Sequence, residues 1–445
     1  MSTEPNDPAP TIQPRRQGLL QIGPAIIVAA VVLGPGSIVN ASRVGCRYGY
    51  DLLWIVLIAG ALMMAATAAS MQIGVFSKDT PCDFLRRRFG RGAAWCVGGS
   101  LLFAIVLFQA SNNHAIAVAM EGMSTVSSET EPETGWQLPV ALVLGTNLLV
   151  IALLIAGKRD LYRWIERLMM VLVGLMLLAF LSTLVAIGPD WTSVLAGLWP
   201  TIPTQDLPTQ DQPTQDTESS RLDWMSAAAL MATTFSVAAA FFQSYQVRQR
   251  EWKPGDLSAG RQDSVIGITT LVVMTMAIVI TAAGALHGRV DASELSSAVA
   301  VSAQLRPLFG DSAAMLFSIG ILAGALSSFV VNALIGGVVG SDAIGKGSHF
   351  SSAAVRTMTI VSLLIGMVIS IGALVSGVEL VSFIIVAQAL TVLSFPLLAL
   401  TLISQWSEIR SQLHPREQWI VGAGLYAGFA VVAGLAVRTL VGLIG

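Results

Sequence analysis

The chain has 445 residues, of which 54 % are hydrophobic and only 12 % are charged, and its formal net charge is −2. Soluble domains carry about 25 % charged residues, so this composition excludes a soluble enzyme, a disordered protein and a nucleic-acid-binding protein. The hydrophobic residues lie in blocks long enough to cross a lipid bilayer, which takes about 20 apolar residues per helix. The sequence therefore predicts an all-α polytopic membrane protein.

Eleven membrane spans are predicted along the chain. They cover residues 20–45, 51–76, 94–120, 138–157, 165–187, 224–247, 264–286, 312–341, 355–376, 380–404 and 418–443. The first 18 residues are polar and proline-rich and are expected to form a disordered cytoplasmic tail. The first span is too long for a signal peptide and has no small-residue cleavage site, so it is expected to remain in the protein.

The distribution of lysine and arginine predicts the orientation of the spans. With the N-terminus in the cytoplasm, nineteen of the 25 Lys and Arg residues fall in cytoplasmic segments. Basic residues concentrate on the cytoplasmic side of membrane proteins. We therefore expect a multi-pass protein of the cell inner membrane with its C-terminus outside, surrounded by lipid and monomeric.

Span 1 contains a strong helix-breaking sequence, Gly34-Pro35-Gly36-Ser37. Proline removes a backbone donor and clashes with the preceding turn, and the flanking glycines make unwinding easy. A break at membrane depth is tolerated where the backbone lines a cavity or is buried in protein. A simple proline kink is the alternative interpretation.

Span 6 carries a small polar cluster, Thr233, Thr234 and Ser236. These hydroxyls can satisfy the backbone groups of a second break, or they can simply allow close helix packing. Both readings stay open on the residues alone.

The positions of these two spans predict the domain organisation. Spans 1 and 6 are five apart, which fits a 5+5 inverted repeat with the first helix of each half broken near the midplane. The repeats would cover residues 19–190 and 224–405. Residues 191–223 would form a flexible outer loop, with Pro-Thr-Gln-Asp starting at Pro203, Pro208 and Pro213, and residues 406–445 would add span 11 as an appendage.

Several stretches of the chain form a recognisable pattern: residues 23–25 (Gly-Pro-Ala), 34–37 (Gly-Pro-Gly-Ser), 48–54 (Tyr-Gly-Tyr-Asp-Leu-Leu-Trp), 74–79 (Gly-Val-Phe-Ser-Lys-Asp), 320–328 and 388–397. This pattern resembles the NRAMP family of proton-coupled divalent-metal transporters. The resemblance implies the leucine-transporter fold and transport by alternating access.

The chain departs from the family pattern at the residues that bind metal. Where NRAMP metal transporters carry Asp-Pro-Gly-Asn in span 1, this chain has Gly34 to Ser37. The methionine and histidine of span 6 in the family correspond here to Ser236 and Ala238, and the acidic proton-path residues of span 3 fall in the stretch 111–115. The resemblance therefore predicts the fold of the family without its metal ligands.

The loss of these ligands leads to a specific substrate prediction. Helix N-termini carry unpaired N–H groups and about half a positive charge, and two of them would meet at the centre of this fold. Without a carboxylate, such a site favours a small oxyanion such as bicarbonate. The predicted substrate-binding residues are Gly34, Pro35, Gly36, Ser37, Thr233, Thr234, Ser236 and Gln388, with no metal site and no cofactor.

Two other functions remain as alternatives. One is a proton-coupled divalent-metal transporter with an altered site, in which Mg²⁺ is favoured over Mn²⁺ because the soft methionine ligand is absent. The other is a transport-inactive sensor or scaffold. An enzyme is not expected, because the sequence contains no paired carboxylates, nucleophile–base pair or phosphate-binding loop.

The coupling ion is expected to be H⁺ or Na⁺. His114 is the histidine within a span core, and ionisable residues inside a membrane are functional candidates. A histidine satisfied by neighbouring amides is an equally good reading. The coupling candidates are His114, Asn112 and Asn113 of span 3, and Ser327 and Ser328 of span 8 near Asn332.

Overall fold

The computed structural model describes residues 32, 34–124, 137–156, 174–175, 178–200 and 216–444. Nine helices in these ranges are long and apolar enough to cross a membrane, and the shorter helix Leu178–Ile187 is also apolar. The expectation of a multi-pass membrane protein is thereby confirmed. The first half of span 1 and residues 165–173, 176 and 177 of span 5 lie outside the described residues, as does the predicted tail at 1–18.

Each predicted span contains at least one helix in its described part. In chain order these are Pro35–Tyr48, Leu53–Phe76, Arg91–Ser124, Gln137–Ala156, Leu178–Ile187, the pair Asp216–Thr234 and Val237–Gln249, Leu257–Leu286, Ala313–Ala343, Ala353–Val375, the pair Leu380–Leu390 and Phe395–Ile409, and Pro415–Ile444. Shorter helices in the connections are Pro81–Phe89, Trp191–Ala196, Ala298–Ser302 and Arg306–Phe309.

The segment predicted as a flexible outer loop, 191–223, contains regular structure at both ends. The helix Trp191–Ala196 begins it, and the helix Asp216–Thr234 takes up its end. The carboxylate of Asp190 caps the first helix by accepting from the N–H of Thr192 at 3.1 Å and the hydroxyl of Ser193 at 2.6 Å. These bonds stabilise the charged form and lower the pKa of Asp190 to about 2. The repeats within 201–215 lie outside the described residues.

Spans 1, 6 and 10 are interrupted. The second half of span 1 starts at Pro35, and span 6 stops at Thr234 and resumes at Val237. Span 10 was not expected to break, but the 3₁₀ segment Thr391–Ser394 separates its two helices, and Pro396 lies in the first turn of the second. Proline has no N–H to continue the helix, which explains this break.

The interrupted spans lie at the centre of the bundle. Every residue from Pro35 to Cys46 is buried, and so is the whole apolar window of span 6, whereas only 11 % of the window of span 4 is buried. Glycine permits the closest approaches, as where a Cβ on Gly45 would lie 2.3 Å from the Val279 carbonyl oxygen. The broken helices are therefore surrounded by protein, which is where irregular backbone is tolerated inside a membrane.

Candidate functional site

The break in span 1 brings a backbone carbonyl and a hydroxyl together. Gly34 is extended, and its carbonyl accepts from the N–H of Ser37 at 3.1 Å. The hydroxyl of Ser37 reaches back across the break and donates to the carbonyl of Val32. Pro35 cannot supply an N–H, so the serine hydroxyl takes over part of the hydrogen bonding that a continuous helix would provide.

Span 6 is broken at its polar cluster, so the cluster marks an interruption of the helix. The N–H of Phe235 donates to the Met231 carbonyl at 2.8 Å, and the backbone then becomes extended at Ser236. The hydroxyl of Ser236 caps the second half of the span by accepting from the N–H of Ala239 at 3.4 Å. The last carbonyls of the first half have no partners within their helix.

A small cavity lies between the two breaks. Its volume is about 20 Å³. By the same measure, a cavity needs about 10–15 Å³ to hold one water molecule. The residues that line it are Val32, Gly34, Ser37, Ile105, Phe108, Asn112, Thr233, Ser236, Ala238, Ala239, Ser328, Asn332, Ile335 and Gln388. The cavity has room for a small ion with a water molecule but not for an organic acid.

Gln388 of span 10 also lines the cavity. Its Nε2 donates to the hydroxyl of Ser111 at 3.0 Å, and its Oε1 is buried with no hydrogen-bond partner in the described part of the chain. A Cβ on Gly36 would lie only 2.2 Å from this Nε2, so glycine at 36 is what lets the amide approach span 1. The unpaired Oε1 is an oxygen donor available to a ligand.

The structure brings some of the predicted binding residues together and leaves others aside. Gly34, Ser37, Thr233, Ser236 and Gln388 line the cavity. Gly36 contacts Gln388 without lining the cavity, and Pro35 and Thr234 are not part of the lining.

The coupling candidates divide in the same way. Asn112 and Ser328 line the cavity, whereas Asn113, His114 and Ser327 do not. The Nδ1 of His114 lies 2.8 Å from the hydroxyl of Ser370, and the His114 ring stacks on Phe383 with centroids 3.8 Å apart. Asn113 accepts a hydrogen bond from Asn147 at 2.8 Å.

The apolar wall of the cavity was missed by the sequence analysis. On span 3, Phe108 lies four residues before Asn112, and Ile105 lies three residues before Phe108. Ile335 follows Asn332 on span 8 at a three-residue step. Such spacing places side chains on one helix face, so this periodicity could have identified them once one polar residue of each face was assigned to the site.

The polar side chains of the lining carry hydroxyl and amide groups. No cluster of three or more His, Cys, Asp or Glu side chains that could hold a metal occurs in the described residues. The donors facing the cavity are therefore hydroxyl, amide and backbone oxygens, which are hard ligands.

Hydrogen bonds join the helices at both ends of the bundle. We name the end that carries Arg86, Arg87, Arg88 and Arg248 the basic end. There the hydroxyl of Tyr245 donates to the buried carboxylate of Asp342 at 2.7 Å, and Arg248 donates to the Ser77 carbonyl at 3.1 Å. At the opposite end the amide of Gln304 donates to the hydroxyl of Ser42 at 2.7 Å.

Comparison with known families identifies the chain. The family model described as natural resistance-associated macrophage protein-like matches residues 25–442. The chain belongs to the NRAMP family. Its members are transporters, so the expectations of a membrane transporter and of a protein that is not an enzyme are confirmed.

Curated relatives and solved structures extend this assignment. The chain is 25 % identical over 446 residues to the divalent metal cation transporter MntH of Granulibacter bethesdensis, covering 97 % of this chain and 90 % of that one. It is 27 % identical over 339 residues to MntH of Pectobacterium carotovorum, covering 73 % of each. The Eremococcus coleocola manganese transporter has a TM-score of 0.65 at 16 % identity, with 94 % of both chains covered.

The leucine-transporter fold is confirmed by a second group of structures. The transporter MhsT in complex with L-phenylalanine has a TM-score of 0.53 at 16 % identity, covering 95 % of this chain and all of that one. At such identity the likeness concerns the fold, which is the predicted inverted repeat with broken spans 1 and 6.

The prediction of an oxyanion substrate such as bicarbonate is wrong. The relatives of this NRAMP protein are named divalent metal cation transporters, and the structural neighbours include manganese transporters. The error has a physical reason. The prediction considered only the N-terminal ends of the half-helices, but each break also exposes the C-terminal end of the preceding half, whose free carbonyls carry negative partial charge.

Proposed function

We propose that this NRAMP protein transports a divalent metal cation by alternating access, with the cavity between the breaks of spans 1 and 6 as its binding site. The observation that carries the proposal is the oxygen-lined cavity at the meeting point of two helix breaks, in a chain of this family. The substrate is a small inorganic ion, and the hard oxygen donors favour Mg²⁺ over the softer transition metals.

Three kinds of oxygen are available to the ion. Ser37 and Ser236 supply hydroxyls from the two broken spans, and the Oε1 of Gln388 supplies an unpaired amide oxygen. Carbonyls at the end of the first half of span 6 supply backbone oxygens, as in other transporters with discontinuous helices.

The ion keeps part of its hydration shell in this proposal. No carboxylate lines the cavity to replace the whole shell of a doubly charged ion. Mg²⁺ gives up water reluctantly and is often held through its remaining water molecules. A volume of about 20 Å³ leaves room for an ion with one such water.

The arrangement in the membrane follows from the same reasoning. We propose that the basic end faces the cytoplasm of a bacterial cell, in its inner membrane, with the N-terminus inside. Residues 19–190 and 224–405 would act as the two repeats of a monomeric transporter, and protons entering past His114 would couple to the metal. The buried His114–Ser370 contact supports a role for this histidine away from the cavity itself.

Reconstituted protein tests the proposal directly. Purified protein is placed in liposomes loaded with a Mg²⁺-sensitive dye, with protein-free liposomes and the variant Ser37→Ala beside it. We expect Mg²⁺ influx that saturates, is competed by Mn²⁺, and is strongly reduced in Ser37→Ala. The matched control is Ser404→Ala, because the Ser404 hydroxyl is exposed and bonds only to Leu400 of its own helix at 2.7 Å.

Two outcomes would overturn parts of the proposal. Folded protein that moves neither Mg²⁺ nor Mn²⁺ would refute divalent-metal transport and leave the sensor or scaffold function. Influx that is the same in Ser37→Ala and Ser404→Ala would refute this cavity as the binding site.

A further inference from the structure

We propose that span 11 fixes the position of the break in span 6, through a contact between Gly428 and the ring of Phe235, and thereby sets the affinity of the cavity for its ion. The inference rests on the proposed function. Phe235 is the first of the two residues between the halves of span 6, and it is 3 % exposed. A Cβ on Gly428 would lie 2.8 Å from the Phe235 Cζ, so the ring tip touches the backbone of span 11.

Main-chain hydrogen bonding is interrupted at the break. After the Phe235 N–H bond to Met231, regular helical hydrogen bonding stops until Val237. The position of the interruption therefore depends on side-chain packing, and the ring of Phe235 provides the contact of the break with span 11. It belongs to the same buried cluster as Leu425 of span 11 and Val392 of the break in span 10.

A displacement of this ring reaches the cavity within one residue. Ser236 follows Phe235 directly, lines the cavity and caps the second half of span 6. Thr233 lies two residues before it and also lines the cavity. A shift of the Phe235 side chain that is passed to its backbone moves both oxygen donors relative to Ser37 and Gln388.

Glycine at 428 is what the contact requires. The distance of 2.8 Å is shorter than the contacts that real Cβ atoms make, so an alanine there would have to push the Phe235 ring away. The ring is buried on its other sides, which prevents it from simply turning aside. Phe235 and Gly428 are thus positioning residues, and span 11 is not an appendage to the ten-span core.

Span 11 supplies two matched controls for a Gly→Ala substitution. Gly424 also faces the bundle, where a Cβ would lie 2.3 Å from the Cβ of Ala65 on span 2, away from the break. Gly434 has nothing within 4 Å of its Cβ position. Gly424→Ala therefore reports the cost of crowding span 11, and Gly434→Ala reports the effect of the substitution alone.

The first readout is Mg²⁺ uptake as a function of concentration. We expect Gly428→Ala to raise the half-saturating Mg²⁺ concentration about tenfold, which corresponds to about 1.4 kcal/mol of binding free energy. Gly424→Ala is expected to lower the melting temperature without changing this concentration, and Gly434→Ala to change neither. Equal half-saturation in Gly428→Ala and Gly424→Ala would overturn the proposal.

The second readout does not depend on the substrate. Cys46 and Cys82 are buried and Cys96 is exposed, so a Cys96→Ser background allows a reporter thiol to be placed at the break with Ser236→Cys. The reagent, a cationic methanethiosulfonate, reaches this thiol when alternating access opens the cavity to one side of the membrane. We expect Gly428→Ala to change the rate of this modification, and both control substitutions to leave the rate unchanged. If no variant moves Mg²⁺, the proposed function fails while this rate still decides whether span 11 positions the break.

A further variant covers the case in which Gly428→Ala does not fold. Phe235→Leu removes the ring tip from the other side of the contact and is expected to change the modification rate as well. The double variant Phe235→Leu/Gly428→Ala should then fold. Its half-saturating Mg²⁺ concentration should be closer to that of the wild type than the concentration measured for the double variant Phe235→Leu/Gly424→Ala. A rate unaltered by Phe235→Leu would overturn the proposal.

Discussion

Replacing Gly36 with alanine would place a methyl group in the space that the amide of Gln388 occupies. The new Cβ would lie 2.2 Å from the Nε2 and 2.4 Å from the Cδ of Gln388. Ordinary van der Waals contact begins at 3.4 Å, so the amide must retreat by about 1.2 Å. Gln388 is 4 % exposed and has no solvent to move into, so we expect the retreat of its amide to break the hydrogen bond to Ser111 at 3.0 Å.

The expected cost of Gly36→Ala follows from these contacts. Loss of the hydrogen bond costs about 1 kcal/mol, and overpacking a buried position costs about 1–3 kcal/mol. Alanine in place of glycine inside a helix returns about 1 kcal/mol. We therefore expect the free energy of unfolding to fall by about 1–3 kcal/mol. We also expect a strong loss of Mg²⁺ uptake, because the Oε1 of Gln388 leaves the cavity.

Thermal unfolding in detergent and Mg²⁺ uptake in liposomes together check this reasoning. The matched control is Gly99→Ala, where nothing lies within 4 Å of the Cβ position. Shortening the opposing side chain, in the double variant Gly36→Ala/Gln388→Ser, should restore stability but not uptake. A Gly36→Ala protein with the melting temperature and uptake of the wild type would refute the close approach of spans 1 and 10.

Three further predictions concern the buried Tyr245–Asp342 hydrogen bond at the basic end, the metal and the coupling ion. Tyr245→Phe removes the 2.7 Å bond to buried Asp342 and should destabilise the protein by about 1–3 kcal/mol in thermal unfolding, whereas Tyr426→Phe at an exposed position should not. Ser236→Cys introduces a soft ligand and should lower the Cd²⁺ concentration that half-inhibits Mg²⁺ uptake, and an unchanged value would mean that this side chain does not reach the ion. His114→Gln should abolish the acceleration of uptake by an inward proton gradient, and an unaltered pH dependence would remove His114 from the coupling route.

The fold could be predicted from the sequence because it depends on features that are local in the chain. Hydrophobic length set the spans, and Gly34-Pro35-Gly36 set the break in span 1. The interruption of span 10 was missed even though Pro396 is visible in the sequence, because one proline inside a span predicts a kink as readily as a break. The helix Trp191–Ala196 was missed because six residues carry too little periodicity to separate them from a loop.

The site could be predicted only in part because its geometry depends on contacts between distant segments. Ser37, Thr233, Ser236 and Gln388 were named from the breaks and the family resemblance, and they do meet around one cavity. The contact of Gly428 with Phe235 joins residues almost two hundred positions apart. Nothing in the local sequence of span 11 distinguishes Gly428 from Gly434, which faces open space, so only the folded arrangement separates them.

The electrostatics of a broken helix allow the same fold to bind either an anion or a cation. A break creates an N-terminus with free N–H groups and a C-terminus with free carbonyls, and both point at the same cavity. The side chains beside the break then determine whether N–H groups or carbonyl oxygens remain free to bind the ligand. Here the Ser236 hydroxyl is already engaged by the Ala239 N–H, and the Ser37 hydroxyl donates to Val32. Because the Ser37 proton is committed to the Val32 carbonyl, this side chain offers a ligand its oxygen lone pairs, which favours a cation. Retaining a hydroxyl at position 37 in Ser37→Thr should therefore preserve Mg²⁺ uptake, whereas Ser37→Ala should not. Equal uptake in Ser37→Thr and Ser37→Ala would show that the backbone carbonyls alone bind the ion.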